Sequence, residues 1–243
     1  MTWNDHIPRV AVRLLCGLGI VCASGTVAPT RSQEATGSVL GQVRYLGATP
    51  PAFFVPESGS EQHVLVVAPE THGLRNAVVF LEHPEVPGSP RDLPPAILHQ
   101  RGWLFRPPVL AVREGQPVRF TSEDPANHNV RSTDRVPANR FSAYTGDGDA
   151  YTHRFEALGG RPIEIICDIH AWMTAWLYVF DHPYFTVTDS QGRFRLDGVP
   201  TGSHRLIVQQ PAGGLVREVG TRIDAGNPTR VEISFDTVDL RLP

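Results

Sequence analysis

The chain has 243 residues and a formal net charge of −3, and 41% of its residues are hydrophobic against 19% charged. This balance is typical of a folded globular protein and excludes a disordered chain. All 22 basic residues are arginine and they form no basic block, so the charge pattern does not favour nucleic-acid binding.

The N-terminus has the pattern of a secretory signal. Arg9 and Arg13 precede an apolar run over residues 14–23, which is too short to span a bilayer, and small residues follow it up to Ala28. We therefore predict that residues 1–35 are a signal peptide and linker, and that the protein is periplasmic or secreted from a bacterium. An uncleaved N-terminal membrane anchor is the alternative.

Short alternating segments and frequent turns predict an all-β fold. The chain contains 22 glycines and 22 prolines, and no segment shows a long helical period. We expect two hairpin turns, at Glu114-Gly115 and at Ser190-Gln191-Gly192, a polar loop over 125–130 and irregular chain over 131–150. The predicted strands are 37–46, 63–69, 76–82, a strand from about 97, two strands within 108–124, then 150–157, 161–167, 174–180, two strands within 185–199, 203–210, 216–224 and 230–235.

The cysteine count leaves one thiol without a disulfide partner in the predicted mature chain. Cys16 and Cys22 leave with the predicted signal, so Cys167 has no partner within the mature chain for a disulfide. In an oxidising compartment such a cysteine is a free reactive thiol, an intermolecular bridge or a metal ligand. Met173, the only methionine besides the initiator, lies close to it in the sequence.

A Cys-x-x-His-x-x-Met stretch offers thiolate, imidazole and thioether groups in one loop. Cys167, His170 and Met173 carry these groups, and His128 supplies a second imidazole from an earlier segment. A thiolate, two imidazoles and a weak thioether form the ligand set of a copper electron-transfer site. A strand end before Cys167 and a tight loop after it would hold the donors at one point.

Three other interpretations stay open at this stage. A lone buried cysteine is commonly an inert part of a core. Zinc also takes cysteine and histidine ligands, although the soft thioether of Met173 favours copper. A catalytic Cys-His nucleophile needs an orienting group and an oxyanion hole, which the sequence does not identify.

Five stretches carry a resemblance to a known family: FRP (105–107), AVREGQPVRF (111–120), SEDPANHNV (122–130), CDIHAWM (167–173) and DHPYF (181–185). They resemble the cupredoxins, the class of plastocyanin and azurin, and most closely the bacterial periplasmic cupredoxin-like proteins often labelled methylamine utilisation proteins. The resemblance covers about residues 97–185 and implies a Greek-key β-sandwich that binds one copper ion.

The resemblance also implies roles for individual residues. His128, Cys167 and His170 would be copper ligands and Met173 the axial ligand. Asn129 would pin the loop of the first histidine to the cysteine loop from just outside the ligands. The short gap from His170 to Met173 is similar to the copper loop of oxidase subunit II, which has a second cysteine for a dinuclear centre. This loop has one cysteine, so a mononuclear site is predicted.

Three flanking stretches carry a second resemblance: GSVLGQV (37–43), NAVVFL (76–81) and TDSQGRFRLDGVPTG (188–202). They resemble the carboxypeptidase regulatory-like β-sandwich. We therefore predict a first part of that sandwich over 36–90, a cupredoxin copper domain over 91–183 and a second part of the sandwich over 184–243. The alternative is two consecutive domains, with the N-terminal strands belonging to the cupredoxin.

Together these features predict a periplasmic copper protein that transfers single electrons and is not an enzyme. Its cofactor would be one copper ion cycling between Cu(I) and Cu(II). Its partner would be a redox protein, with no nucleic acid and no membrane contact beyond an uncleaved signal. The alternatives are a copper carrier or buffer without a redox role and a non-catalytic β-sandwich interaction protein.

Overall fold

The computed structural model describes residues 35–84 and 92–242 and is all-β there, as predicted. The predicted signal peptide and its cleavage point lie outside the described residues. Within the described part, helical structure is limited to two 3₁₀ turns, Pro137–Asn139 and Thr237–Asp239, and no helix has the length and apolarity to cross a membrane. The strands are β1 Thr36–Tyr45, β2 Phe53–Val55, β3 Ser60–Gln62, β4 Val78–Leu81, β5 Ala96–Gln100, β6 Phe105–Arg106, β7 Val109–Arg113, β8 Pro117–Ser122, β9 His128–Ser132, β10 Ser142–Thr145, β11 Ala150–Arg154, β12 Ile163–Cys167, β13 Thr174–Phe180, β14 Phe185–Val187, β15 Arg193–Pro200, β16 Gly202–Gln210, β17 Leu215–Ile223 and β18 Thr229–Phe235.

Two sheets, here called the flanking sheets, combine strands from both ends of the described chain. Their strand orders are β15-β1-β18 and β14-β4-β16-β17. Strand β1 runs antiparallel to β15 and parallel to β18, so it is hydrogen-bonded on both edges. Alternate residues of β1, namely Val39, Val43 and Tyr45, are buried in a core shared by the two sheets. The period-two pattern of the sequence therefore marks the inward face of this strand.

Gly41 lets β1 fit between its neighbours. A Cβ atom at this position would lie 1.8 Å from the carbonyl oxygen of Val231 on β18 and 2.9 Å from the ring of Phe194 on β15. Both contacts are far shorter than van der Waals distances, and one is to backbone. Only a residue without a side chain leaves room for strands on both sides at this point.

Two further sheets, here called the middle sheets, are built entirely from strands β5 to β13. Their strand orders are β10-β9-β12-β13-β7 and β11-β8-β5-β6. They enclose a second core, to which Leu98 and Phe120 contribute from one sheet and Val130, Ile165 and Leu177 from the other. This core holds Cys167 and Met173 as well. The candidate ligands therefore lie at the edge of a packed interior.

The middle and flanking sheets meet through a third apolar cluster. Strand β13 is buried on both faces: Ala175, Leu177 and Val179 enter the middle core, while Tyr178 and Phe180 face the flanking sheets. Strands β4, β7 and β16 supply the other buried members of this cluster, which are Val78, Phe80, Val109 and Ile207. The hydroxyl of Tyr178 donates a hydrogen bond of 3.1 Å to Oε1 of Gln209 on β16.

Most predicted strands are confirmed, but the two hairpins are wrong. Strand β7 pairs with β13 in one middle sheet and β8 pairs with β5 and β11 in the other, so the chain crosses between sheets at Glu114-Gly115. Similarly, β14 pairs with β4 while β15 pairs with β1, on either side of Ser190-Gln191-Gly192. A turn signal indicates where the chain reverses but not which neighbour each strand finds.

Other predictions differ in secondary structure. Residues 63–69 do not form a strand; within them Val67 makes one isolated bridge, to Leu74. In contrast, the segment predicted as a polar loop and irregular chain contains β9 and β10. Their sequences, HNVRS and SAYT, are short and mostly polar, and they form strands because β9 pairs with β12 on one edge and β10 on the other.

Candidate metal centre

Cys167 is fixed by the end of strand β12 and by the loop that follows. It is the last residue of β12 and is 3% exposed. Its backbone N–H donates to the carbonyl oxygen of Met173 at 3.2 Å, and the N–H of Met173 donates to the carbonyl oxygen of His170 at 2.9 Å. These two bonds close the loop tightly before β13 begins at Thr174. The predicted tight loop after Cys167 is thus present.

His128 reaches the same place through strand pairing. It is the first residue of β9, and β9 lies antiparallel to β12 with Val130 opposite Cys167. Residues two apart on a strand share a face, and so do directly paired residues, which places His128 on the face that carries Cys167. The strand register therefore brings together two candidate ligands that are 39 residues apart in sequence.

The three side chains form a compact triangle of donor atoms. Nδ1 of His128 lies 3.0 Å from Nδ1 of His170, and Sγ of Cys167 lies 3.9 Å and 3.6 Å from these two nitrogens. A metal ion bonded to nitrogen at about 2.0–2.1 Å and to sulfur at about 2.3 Å holds such donors roughly 3.3–3.8 Å apart. The observed distances are within a few tenths of an ångström of that range. Within residues 35–84 and 92–242, this is the one cluster of three or more His, Cys, Asp or Glu side chains with this spacing.

Asp124 orients the imidazole of His128. Its Oδ2 atom lies 3.0 Å from Nε2 of His128, and both side chains are buried. Because a carboxylate only accepts, Nε2 carries the proton and the Nδ1 lone pair points to Cys167 and His170. Burial, followed by the charge of His170, lowers the pKa of His128, while Asp124 opposes this shift. His128 is therefore neutral and ready to bind a metal near neutral pH.

Met173 and Asn129, the two other predicted site residues, lie close to the triangle. Met173 is fully buried in the same apolar cluster as Cys167, directly after the loop that carries His170. Asn129 is buried next to His128, and its Nδ2 atom donates to Oγ of Ser142 on β10 at 3.1 Å. Its Oδ1 atom is buried without a hydrogen-bond partner. A link from Asn129 to the cysteine loop, and an axial role for Met173, stay predictions.

Two tryptophans cover the histidines. The rings of Trp103 and His170 meet edge to face with centroids 5.1 Å apart, and Trp103 approaches His128 in the same way at 5.8 Å. Trp172 packs on His170 at 5.4 Å and donates from Nε1 to the carbonyl oxygen of Trp103 at 3.0 Å. Trp176 instead packs against the cluster between the middle and flanking sheets.

Sequence reasoning assigned no role to Asp124 or Trp103. Asp124 lies four residues before His128, within the stretch that resembles the cupredoxins, but its side chain could equally have faced solvent. Trp103 lies in the turn between β5 and β6, whose sheet contains none of the donor residues, and no periodicity connects it to them. For both residues, the contacts with the histidines are apparent only from the tertiary structure.

Comparisons with known proteins give partial likenesses to copper proteins. No family model matches the chain, and no curated protein matches it. Among solved structures, a purple cupredoxin from Nitrosopumilus maritimus is 23% identical over 35% of this chain and 99% of its own, with a TM-score of 0.30. A Cu-containing nitrite reductase from Thermus scotoductus is 25% identical over 42% of this chain and 26% of its own, with a TM-score of 0.33. Amicyanin from Paracoccus versutus is 16% identical over 42% of this chain and 97% of its own, with a TM-score of 0.31. Overlaps this low carry no functional argument, so the function is argued from the donor atoms.

Proposed function

We propose that this chain is a mononuclear copper protein that transfers single electrons and catalyses no reaction itself. The observation that carries the proposal is the buried triangle of Cys167 Sγ and the Nδ1 atoms of His128 and His170. A thiolate with two neutral imidazoles is a donor set that suits both oxidation states of copper.

The surroundings of the donors support copper more than a structural zinc site. Structural zinc is almost always held by four protein ligands. Among the described residues, the cluster offers three His, Cys, Asp or Glu donors, and Asp124 is engaged on the far side of His128. The remaining neighbour on the loop is the thioether of Met173, a soft donor of the kind found as a weak axial ligand of copper.

The chain's own residues prepare the site before a metal arrives. Asp124 fixes the proton of His128 on Nε2, and the β9–β12 register fixes the distance from His128 to Cys167. Two lone pairs do not approach to 3.0 Å favourably, so Nδ1 of His170 carries a proton towards Nδ1 of His128 in the metal-free protein. Metal binding at the two Nδ1 atoms would leave the His170 proton on Nε2 and release the proton of the Cys167 thiol. Copper, when bound, supplies the one-electron couple.

The burial of the ligands favours one side of the site for electron exchange. His128 is 0% exposed and His170 is 9% exposed, so the imidazole of His170 is the outer of the two. A redox protein docking over His170 would exchange electrons with the bound copper through this imidazole. The expected location is the bacterial periplasm or exterior, in line with the signal-like N-terminal sequence.

The test is an optical and electrochemical titration of the purified metal-free protein with Cu(II). We expect one equivalent to bind and to produce an intense visible thiolate-to-copper band that disappears reversibly on one-electron reduction. Cys167→Ser is the control and should lose the band. Stoichiometric copper without the band, or without reversible reduction, would support a copper carrier or buffer. A parent protein that binds no copper would contradict the proposal and favour a non-catalytic β-sandwich interaction protein.

A further inference from the structure

The turn between β5 and β6 has a conformation that its own sequence does not favour. Gly102 and Trp103 have φ values of 64° and 63°, and the N–H of Arg101 donates to the carbonyl oxygen of Leu104 at 3.0 Å. Positive φ at both central residues is typical of a type I′ turn, for which glycine and asparagine are suited. A bulky residue such as tryptophan persists there only where other contacts hold it.

Asp124 and Trp172 supply those contacts. One oxygen of Asp124 accepts from the N–H of Gly102 at 2.7 Å, and the other accepts from the N–H of Trp103 at 3.1 Å. The second oxygen also accepts from Nε2 of His128 at 3.0 Å. Trp172 donates to the carbonyl oxygen of Trp103 at 3.0 Å from the opposite side. A single buried carboxylate thus joins the turn to a member of the donor triangle.

The turn places the ring of Trp103 next to the donor triangle. The ring lies against His128 and His170, and it comes from a turn between two strands of the middle sheet that contributes no donor atom. Together with Trp172, whose ring lies 5.4 Å from that of His170, it covers His170, which is 9% exposed. Cys167 below them is only 3% exposed. A metal at the triangle is consequently separated from solvent by aromatic side chains.

We propose that Asp124 is a positioning residue that fixes His128 and anchors the turn 101–104 as a lid over the donor triangle, so that Trp103 keeps small ligands away from the metal. This inference rests on the proposed function. A copper ion with an open position binds anions and exchanges ligands, whereas a covered one is restricted to electron exchange through its protein ligands. The lid therefore selects electron transfer over small-molecule chemistry at this site.

The lid is tested first without a metal. Trp103→Gly removes the ring, and glycine tolerates the positive φ, so the turn keeps its backbone conformation. Trp103→Phe keeps an aromatic ring and is the matched control. We expect iodoacetamide to alkylate Cys167 faster in the glycine variant than in the parent and the phenylalanine variant, as followed by peptide mass spectrometry. Equal rates in all three proteins would overturn the lid.

The second test uses the copper-loaded proteins and azide as the probe. The optical spectrum of the parent should not change on adding azide, while that of Trp103→Gly should shift. A parent that responds as strongly as the glycine variant would overturn the lid. A parent that binds no copper, together with faster alkylation in Trp103→Gly, would refute the proposed electron transfer and leave the lid in place.

The role of Asp124 is tested by Asp124→Asn against Asp168→Asn. Both carboxylates neighbour the ligands, but Asp168 is 44% exposed in its side chain and paired with Arg131. Loss of a partner that orients a metal-binding histidine typically lowers metal affinity by about 10- to 100-fold. We expect that loss, and a higher reduction potential, for Asp124→Asn only, because removing the buried negative charge disfavours Cu(II) over Cu(I). Equal changes in metal affinity and reduction potential in the two variants, or no change in Asp124→Asn, would overturn the positioning role of Asp124.

Discussion

The ring of Phe80 on β4 packs against the ring of Phe180 on β13, with centroids 4.9 Å apart. The two strands belong to different sets of sheets, so this pair lies at the centre of the apolar contact between the flanking and middle sheets. Gly160 lies over the same ring: a Cβ atom there would come within 2.5 Å of Phe80. Phe80 is therefore closely packed by the ring of Phe180 and by the backbone at Gly160.

Truncation of Phe80 should be strongly destabilising. Phe80→Ala deletes a buried aromatic ring, and such changes cost about 3–5 kcal/mol because a cavity remains. The measurement is the free energy of unfolding from urea denaturation. Phe54→Ala is the control: Phe54 is 60% exposed, so this substitution should change the free energy of unfolding little. If Phe80→Ala lowered the free energy of unfolding no more than Phe54→Ala does, this packing role would be contradicted.

We propose that residues 91–183 form a domain inserted into a second domain made of 36–90 and 184–243. Strand β1 is paired on both edges by strands that follow the middle sheets, and β4 pairs with β14 and β16. A fragment of residues 35–84 would leave these edges unpaired and would lack most of the buried residues of its core. We expect circular dichroism and amide exchange to show that this fragment is unfolded. A stable folded fragment would contradict the insertion, and the resemblance of the flanks to a carboxypeptidase regulatory-like sandwich would lose its support.

Acid should weaken the fold through His182. Burial, the largest cause, lowers the pKa of His182 to about 4; Asp181 opposes this shift, and Arg113 and His83 add to it. The unfolded value is about 6.5, so the unfolded chain binds a proton first. The stabilisation is complete above about pH 6.5 and is lost progressively down to about pH 4, by roughly 3 kcal/mol in total.

The pH dependence is measured by urea unfolding of the metal-free protein between pH 4 and 7. His182→Asn serves as the comparison, because its side-chain oxygen can replace Nδ1 as the acceptor for the N–H of Tyr184, which lies 3.2 Å away. We expect the variant to lose less stability than the parent over this interval. Identical slopes in both proteins would exclude His182 as the source.

Met173 should affect the metal more than the fold. Met173→Leu is a swap of similar volume in a buried position, and such swaps usually cost less than about 1.5 kcal/mol. If the thioether is an axial ligand, its removal raises the reduction potential, because a donor to Cu(II) is lost. Voltammetry of the copper-loaded variant checks this. An unchanged potential would assign Met173 to core packing alone.

Copper should stabilise the folded protein against unfolding. A ligand that binds only the native state contributes about 4 kcal/mol at a free concentration 1,000 times its dissociation constant. We expect a corresponding rise in the unfolding midpoint of the parent on loading with copper. Cys167→Ser should lose most of it under the same conditions. An equal rise in that variant would place the bound copper somewhere other than the donor triangle.

Local patterns in the sequence determined the fold class and indicated which residues are the candidate donors of the site. The alternation in 37–46 predicted a strand that the structure contains, because a half-buried strand imposes period two on its own residues. Cys167 and its spacing from His170 and Met173 predicted a soft metal site, because ligand type follows from side-chain chemistry alone.

Only the tertiary structure decided which segments meet. The sequence does not reveal that β9 is a strand paired with β12, that the chain crosses between sheets at Glu114-Gly115, or that Asp124 holds both His128 and the turn of Trp103. Strand pairing depends on backbone groups that every residue carries, and the partner of a buried carboxylate depends on contacts across sheets. These pairings and contacts produce no periodic pattern in the sequence, because they depend on packing between residues that are distant in sequence.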